Sequence, residues 1–451
     1  MERKECGRIQ TMMPHLTPST LAECKGCGRI KSIKSPQSAI LFAFMQKKQY
    51  LCRLKIEIII MGLVLDYIKQ HSDGRVETYD TVKYTINDQL HDIFGEFEDH
   101  QDKNAPKSKV IYAEDHPSRD KNYHEIEPDS IKSKLGNSPF TYFLDGSRHV
   151  YKASDIIINS TVYPVVAGQI VVGCCKRIDR QMHPSELNEC RKLILVMPEP
   201  FDYDGLGENF LRKKCEEINE ELRKKAGVGA IQFDEIKLYK IDGDIEEGRN
   251  KYLHQAITVV QNEMMDQERI MVGQLCSKQL VNKEAWLIKD GTLEYRHSFT
   301  NRPDQNLDIA QFNNSLRYVI GVSKLFNSEL LNKQEPKIGR IIAELKPHCR
   351  TNAYKYHHEG KNYCVWYLRL RDTLNRETRN ADVIKVELII GADQVITTSL
   401  INIISAHLIN EAYPVCFGKD SRWANHLYPV YLTELFCKKK YIYDEKIIKV
   451  I

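Results

Sequence analysis

The sequence predicts an α/β protein, a mixed β-sheet core flanked by helices. Three observations predict it. Short apolar runs end at turn residues, charged stretches of helical period lie between them, and 42% of the 451 residues are apolar, enough for a large core. The formal net charge of +4 does not by itself establish a nucleic-acid partner, and permits one only where basic residues cluster. The 13 cysteines are unevenly scattered and no secretory signal opens the chain, so they read as reduced thiols of a cytoplasmic protein. The longest apolar run, Ile56 to Leu65, is broken by Glu57 and Gly62 and has about half the length a bilayer span needs. No membrane partner is expected.

Residues 1–60 differ from the rest. They carry Cys6, Cys24, Cys27 and Cys52 without an amphipathic period. Only Cys24 and Cys27 form a close pair, whereas a structural zinc site usually needs two. The segment reads as a poorly ordered or non-native extension, with Met61 as the start of the protein proper. Residues 61–135 read as an N-terminal helical segment and linker. The polar stretch 101–138, with Pro106, Pro117 and Pro128, is expected to be a linker or surface arm.

The remaining span, 136–451, is expected to form one domain. Phe140 to Leu144 leads into Asp145-Gly146-Ser147, and Val150 to Tyr151, Ile156 to Ile158 and Val162 to Gly173 continue as strands of an antiparallel meander. Leu193 to Met197 and Ile231 to Ile241 are further strands, separated by a charged helix over Asn209 to Lys225. Tyr252 to Leu280 has no proline and one glycine, and reads as the longest helix. It runs into a second strand, Ala285 to Ile288, that ends at Asp290-Gly291-Thr292. Arg317 to Phe326, Tyr363 to Leu370 and Val383 to Ile390 are strands, and Val395 to Glu411 and Leu427 to Phe436 closing helices.

The two Asp-Gly-hydroxyl segments carry the chemistry. A carboxylate at the end of a buried strand is costly without a cation beside it, and glycine permits the sharp turn that presents it. Two such acids suggest a divalent-metal site, although each segment alone also fits an ordinary solvated turn. On the long helix, at about 100° per residue, Ile257, Val260, Met264, Met271 and Leu275 share an arc with Glu268 at its edge. Glu263 points elsewhere and is held in reserve. Near the end, Tyr428-Pro429 opens a helix whose stripe of Leu432, Leu435 and Phe436 lies close to Glu434. Oxygen ligands without a Cys or His pair favour Mg²⁺ or Mn²⁺ over zinc. Clustered acids on a mixed sheet suit two-metal phosphodiester hydrolysis. No Walker loop is present, so the chain does not read as an ATPase.

The order of these motifs resembles the NurA nucleases: Asp-Gly-Ser after a strand, an acid on a long helix, Asp-Gly-Thr-Leu after a second strand, Val-Ile-Gly-Val-Ser-Lys at 319–324, and a late helix beginning Tyr-Pro. The resemblance covers roughly residues 136–440. It implies an RNase H-like fold related to the Argonaute PIWI core, DNA cleavage with Mn²⁺ or Mg²⁺, a homodimer, and work with a hexameric HerA-type ATPase in DNA end processing and repair or in antiphage defence. By motif match Asp145 and Asp290 are the strand-end ligands and Glu268 the helix ligand, with Glu434 standing where many members have His. His426 and His407 are the alternatives should the match be displaced by a turn. Lys324 is expected near the centre, facing a phosphate or simply at the surface. Arg369 and Arg371 share a face by the two-residue period and read as lining a DNA-binding groove, or as salt-bridged surface. Tyr151, Trp366 and Tyr367 read as base-stacking or core residues. A non-catalytic docking subunit for an ATPase ring or nucleic acid is the alternative reading, and a nucleic-acid-guided Argonaute-like protein the third.

Overall fold

The computed structural model describes residues 62–79, 84–86, 111–127, 137–202, 205, 207–224, 231–241, 251–294, 316–327, 330–331, 335–358, 360–372, 380–416 and 423–451. All fall within the unit Met61–Ile451. The extension 1–60, with Cys6, Cys24, Cys27 and Cys52, lies outside the described residues.

In chain order the elements are α1 (Leu63–Gln70), β1 (Glu77–Tyr79), β2 (Tyr84–Ile86), β3 (Tyr123–Glu125), β4 (Phe140–Ile158), β5 (Thr161–Ile178), β6 (Gln181–Pro184) and β7 (Cys190–Pro198). Then come α2 (Glu208–Lys224), β8 (Glu235–Tyr239), α3 (Lys251–Ser277), β9 (Trp286–Asp290), β10 (Val319–Ser323), α4 (Ile338–Glu344), β11 (Cys349–Thr351) and β12 (Tyr354–His358). The chain closes with β13 (Lys361–Arg369), β14 (Val383–Ile390), α5 (Thr398–Glu411), α6 (Tyr428–Lys438) and α7 (Asp444–Val450). The fold is mixed α/β, as the sequence predicts, with 14 described strands in one sheet.

The main path through the sheet is β3-β11-β13-β14-β10-β9-β4-β5-β7-β8. Its left half from β11 to β14 is antiparallel, and so is the meander β4-β5-β7. The centre is parallel: β9 pairs with β4 on one side and with β10 on the other. A parallel neighbour requires a crossover, and α3 supplies most of it between the meander and β9.

One strand differs from expectation. Val150 to Tyr151 and Ile156 to Ile158 are not separate strands, because β4 runs unbroken through Asp145-Gly146-Ser147 for 19 residues. Its partner β5 runs alongside with one register shift, a bulge between Lys152 and Ser154, and the turn falls at Asn159-Ser160, both at positive φ as a two-residue hairpin loop requires. Cross-strand pairing over the whole hairpin outweighs the local turn preference of Asp-Gly.

Adjacent strand positions face opposite sides, and glycines show which helix covers each. A Cβ at Gly168 would come within 2.6 Å of Val260 on α3, and one at Gly146 within 2.3 Å of Glu268 on the same helix. A Cβ at Gly173, the partner of Asp145, would come within 2.9 Å of Phe436 and Cys437 on α6. Thus α3 covers one face and α6 the other. On the α6 side Phe143, Ile288, Val322, Trp366, Leu408 and Val430 belong to one buried cluster.

Residues 111–127, expected in a linker or surface arm, are built into the sheet edge. Ala113 and Ile126 are buried, and β3 pairs with β11. The fixing contact is Glu114, which pairs with the fully buried Arg350 at 2.8 Å and accepts from the Ala353 amide at 2.7 Å. Burial alone would raise the Glu114 carboxyl, but hydrogen bonds from His124 and Arg350 outweigh it and hold it at about 2.

Glu114→Ala leaves Arg350 buried without its counter-ion and is expected to cost about 3–5 kcal/mol in urea unfolding. In the wild type the folded carboxyl, at about 2, lies below its ordinary value of 4.5. The stabilisation from this pair is therefore complete above pH 4.5 and is lost as the pH falls through 2. Unfolding midpoints measured against pH should show this acid limb in the wild type and a shallower one in the variant.

Candidate metal centre

Asp145 lies inside β4, and Asp290 ends β9, one step beyond the Leu144–Lys289 pair. Parallel register therefore sets the two carboxylates side by side on the α6 face. Gly291, at φ 83°, turns the chain immediately afterwards, so the second Asp-Gly segment is the strand-end turn the sequence predicts. The first is not. Gly146 sits in continuous strand, and it is small because the Glu268 carboxylate occupies the space of its missing side chain.

Glu434 faces the two aspartates from α6, and Lys324, just past β10, lies between them. Its Nζ is 2.8 Å from Asp290 Oδ2 and 3.5 Å from Glu434 Oε2. Lys438, one turn after Glu434, holds the other oxygen of that carboxylate at 2.6 Å. His426 Nδ1 lies 3.9 Å from Glu434 Oε2, so this histidine borders the site. His407 does not: it packs edge-on against Phe140 near Glu411.

Glu268 approaches from the opposite face. Its Oε2 is 2.7 Å from Lys289 Nζ, and Lys289 also donates to the Asp290 carbonyl at 2.7 Å. Glu268 is turned inward, as the helix phasing predicts, but the helix ligand implied by the resemblance stands on the side of the sheet away from Glu434. It reaches the sheet from beneath, through the gap at Gly146. Glu263 lies elsewhere, held by Lys192 at 2.6 Å and Lys237 at 2.5 Å.

The electrostatics follow from this crowding. Burial, then the Asp290 and Glu434 charges, push the Asp145 carboxyl well above its usual range. Burial raises Glu268 too, and Lys289 partly offsets it. Burial would also raise Glu434, but Lys324 and Lys438 outweigh it and hold the carboxyl at about 2. Among the described residues no three His, Cys, Asp or Glu side chains converge as a ready metal-ligand group. Lysine ammoniums stand among these acids instead. The donor set nevertheless fits a hard cation. Asp145 Oδ2 and Glu434 Oε2 are buried and accept no hydrogen bond, and with Asp290 they offer only oxygen.

Arg369 and Arg371 do not line a groove. Arg369 is fully buried against Asp382 and the Ala381 carbonyl, and Arg371 donates to the Ala412 and His426 carbonyls. Arg371 lies beyond the end of β13, so the two-residue spacing sets no shared face: Arg369 also reaches the Ile342 and Ala343 carbonyls of α4, whereas Arg371 reaches carbonyls at the end of α5 and before α6. Trp366 and Tyr367 are buried core, and Tyr151 is buried with its hydroxyl on Asp444.

Sequence reasoning passed over Lys289 and Glu387. Lys289 stands next to Asp290 in an otherwise apolar strand, and Glu387 stands two residues after Lys385 in another; a charge within such a strand signals a buried partner. Glu387 accepts from the Thr292 hydroxyl at 2.9 Å and the Leu293 amide at 2.8 Å, and pairs with Lys385 at 2.7 Å. It thereby clamps the turn that presents Asp290. No protein-family model and no curated protein matches the chain.

Gly146→Ala forces the Glu268 carboxylate off the sheet and is expected to cost about 1–3 kcal/mol in chemical unfolding. In a Glu268→Ala background the same substitution should cost clearly less, since the 2.3 Å approach is gone. Equal costs in both backgrounds would remove this contact as the reason for the glycine.

Proposed function

We propose that the protein is a metal-dependent DNA nuclease of NurA type with an RNase H-like core. The observation that carries this reading is the pairing of Asp145 and Asp290 on adjacent parallel strands, with Glu434 facing them from a helix. An antiparallel meander followed through a long helix by strands parallel to its first strand is the arrangement expected of such a core. Bound Mg²⁺ or Mn²⁺ would lower the pKa of the attacking water and steady the leaving oxygen. Asp145, Asp290 and Glu434 would hold the ions. Glu268 and Lys289 support this arrangement from the far face and fix the Asp290 backbone. Glu387 keeps the Asp290 turn from relaxing. Lys324 and Lys438 give the acidic centre a cationic margin suited to a phosphate backbone of any sequence.

A hexameric HerA-type ATPase as partner, a homodimer, and a role in DNA repair or antiphage defence belong to the same proposal and rest on the sequence resemblance. No described helix is long and apolar enough to cross a membrane. One observation favours the second reading, a non-catalytic docking subunit: the acids already have ammonium partners in Lys324 and Lys289.

The test is cleavage of linear single-stranded and duplex DNA with Mn²⁺, Mg²⁺ or EDTA, with and without a HerA-type ATPase. Asp145→Asn and Asp290→Asn should each abolish metal-dependent cutting. Asp145→Asn should also melt at or above the wild-type temperature, because it removes one of several repelling buried carboxylates. Undiminished cutting by both variants would defeat the assignment. A folded wild type that cuts under none of these conditions would favour the docking subunit.

A further inference from the structure

Lys324 is placed by backbone as well as by charge. Its carbonyl accepts from Asn425 Nδ2 at 3.0 Å, and the same amide group donates to the Val383 carbonyl at 2.6 Å. The segment leading into α6 is thereby tied to the end of β10, where the lysine emerges. A lysine at a strand end ordinarily extends its ammonium to water. This side chain is only 9% exposed and turns inward, between a carboxylate from β9 and another from α6. The two contacted oxygens are Asp290 Oδ2 and Glu434 Oε2, and Glu434 Oε2 accepts no hydrogen bond.

We propose that Lys324 occupies the divalent-cation seat formed by Asp145, Asp290 and Glu434, and that a bound ion must displace it. The lysine then sets the ion affinity of the centre, and its displaced ammonium is presented to a phosphate of the bound strand. The phosphate half of this inference rests on the nuclease reading; the cation half does not. Mg²⁺ or Mn²⁺ binds oxygen at about 2.0–2.2 Å, and two positive charges cannot share that space without strong repulsion. A phosphate that captures the freed ammonium strengthens ion binding, and the ion strengthens phosphate binding by the same factor. Lys289 has no such freedom. It is fixed on the other face between Glu268 and the Asp290 carbonyl, with its side chain 3% exposed.

The experiment is Mn²⁺ titration of the full chain, followed by electron paramagnetic resonance, for the wild type, Lys324→Met, Lys324→Arg and Asp290→Asn. Thermal midpoints are recorded in EDTA and in Mn²⁺. Methionine keeps the apolar stem and removes the charge. Lys324→Met should bind Mn²⁺ about tenfold more tightly than the wild type. It should melt lower in EDTA, with Mn²⁺ closing the gap, while Lys324→Arg stays near the wild type. Equal or weaker binding by Lys324→Met, with Asp290→Asn removing wild-type binding, overturns the proposal and leaves the metal site standing. Binding by Lys324→Met but not by the wild type supports the seat and defeats the catalytic reading, since the native lysine is then a permanent cation. No binding by any of the four proteins overturns both.

Discussion

Asp145, buried, and Asp290, half-buried, lie side by side at the centre of the sheet, and the repulsion between them is the force their surroundings must absorb. Two lysines do so from opposite sides. Lys324 lies between Asp290 and Glu434 on the α6 face, and Lys289 joins Glu268 to the Asp290 carbonyl on the α3 face. The docking of both helices is coupled to this arrangement. Helix α3 comes close enough for Glu268 only because residue 146 lacks a side chain, and α6 rests on the bare backbone at Gly173. Burying a charge without a partner costs far more than the packing of one side chain returns, so the acids constrain the helices as firmly as the apolar core does.

The same rule organises the sheet away from its centre. Glu114 with Arg350 pins the β3 edge, and Glu263 with Lys192 and Lys237 ties α3 to β7 and β8. Arg177 grips Glu411 with two nitrogens at 2.7 and 2.8 Å and reaches the Phe140 carbonyl, joining β5 to the end of α5 and the start of β4. Glu387 holds the turn after Asp290. These pairs are buried or half-buried, where a missing partner is costly and exchange with water is restricted. They give each strand a specific neighbour that apolar contacts alone do not specify. At the centre the carboxylates outnumber the cations between them: Asp290 and Glu434 share Lys324, and the charges of both bear on the buried Asp145.

The α/β class, the long helix, the strand at Val383–Ile390, the helix opened by Tyr428-Pro429 and the inward phase of Glu268 were all legible in the sequence. Each depends on local periodicity and on residues that begin or end an element. Three matters were decided only by tertiary structure. Asp-Gly-Ser reads locally as a turn, yet pairing with β5 carries it through as strand. Arg369 and Arg371 read as a surface stripe, yet distant backbone carbonyls and Asp382 enclose them. Glu268 reads as a companion of the two aspartates, yet it belongs to the other face of the sheet. The physical reason is common to all three: periodicity records which way a side chain leaves its own backbone, whereas what lies in that direction is set by other elements of the fold.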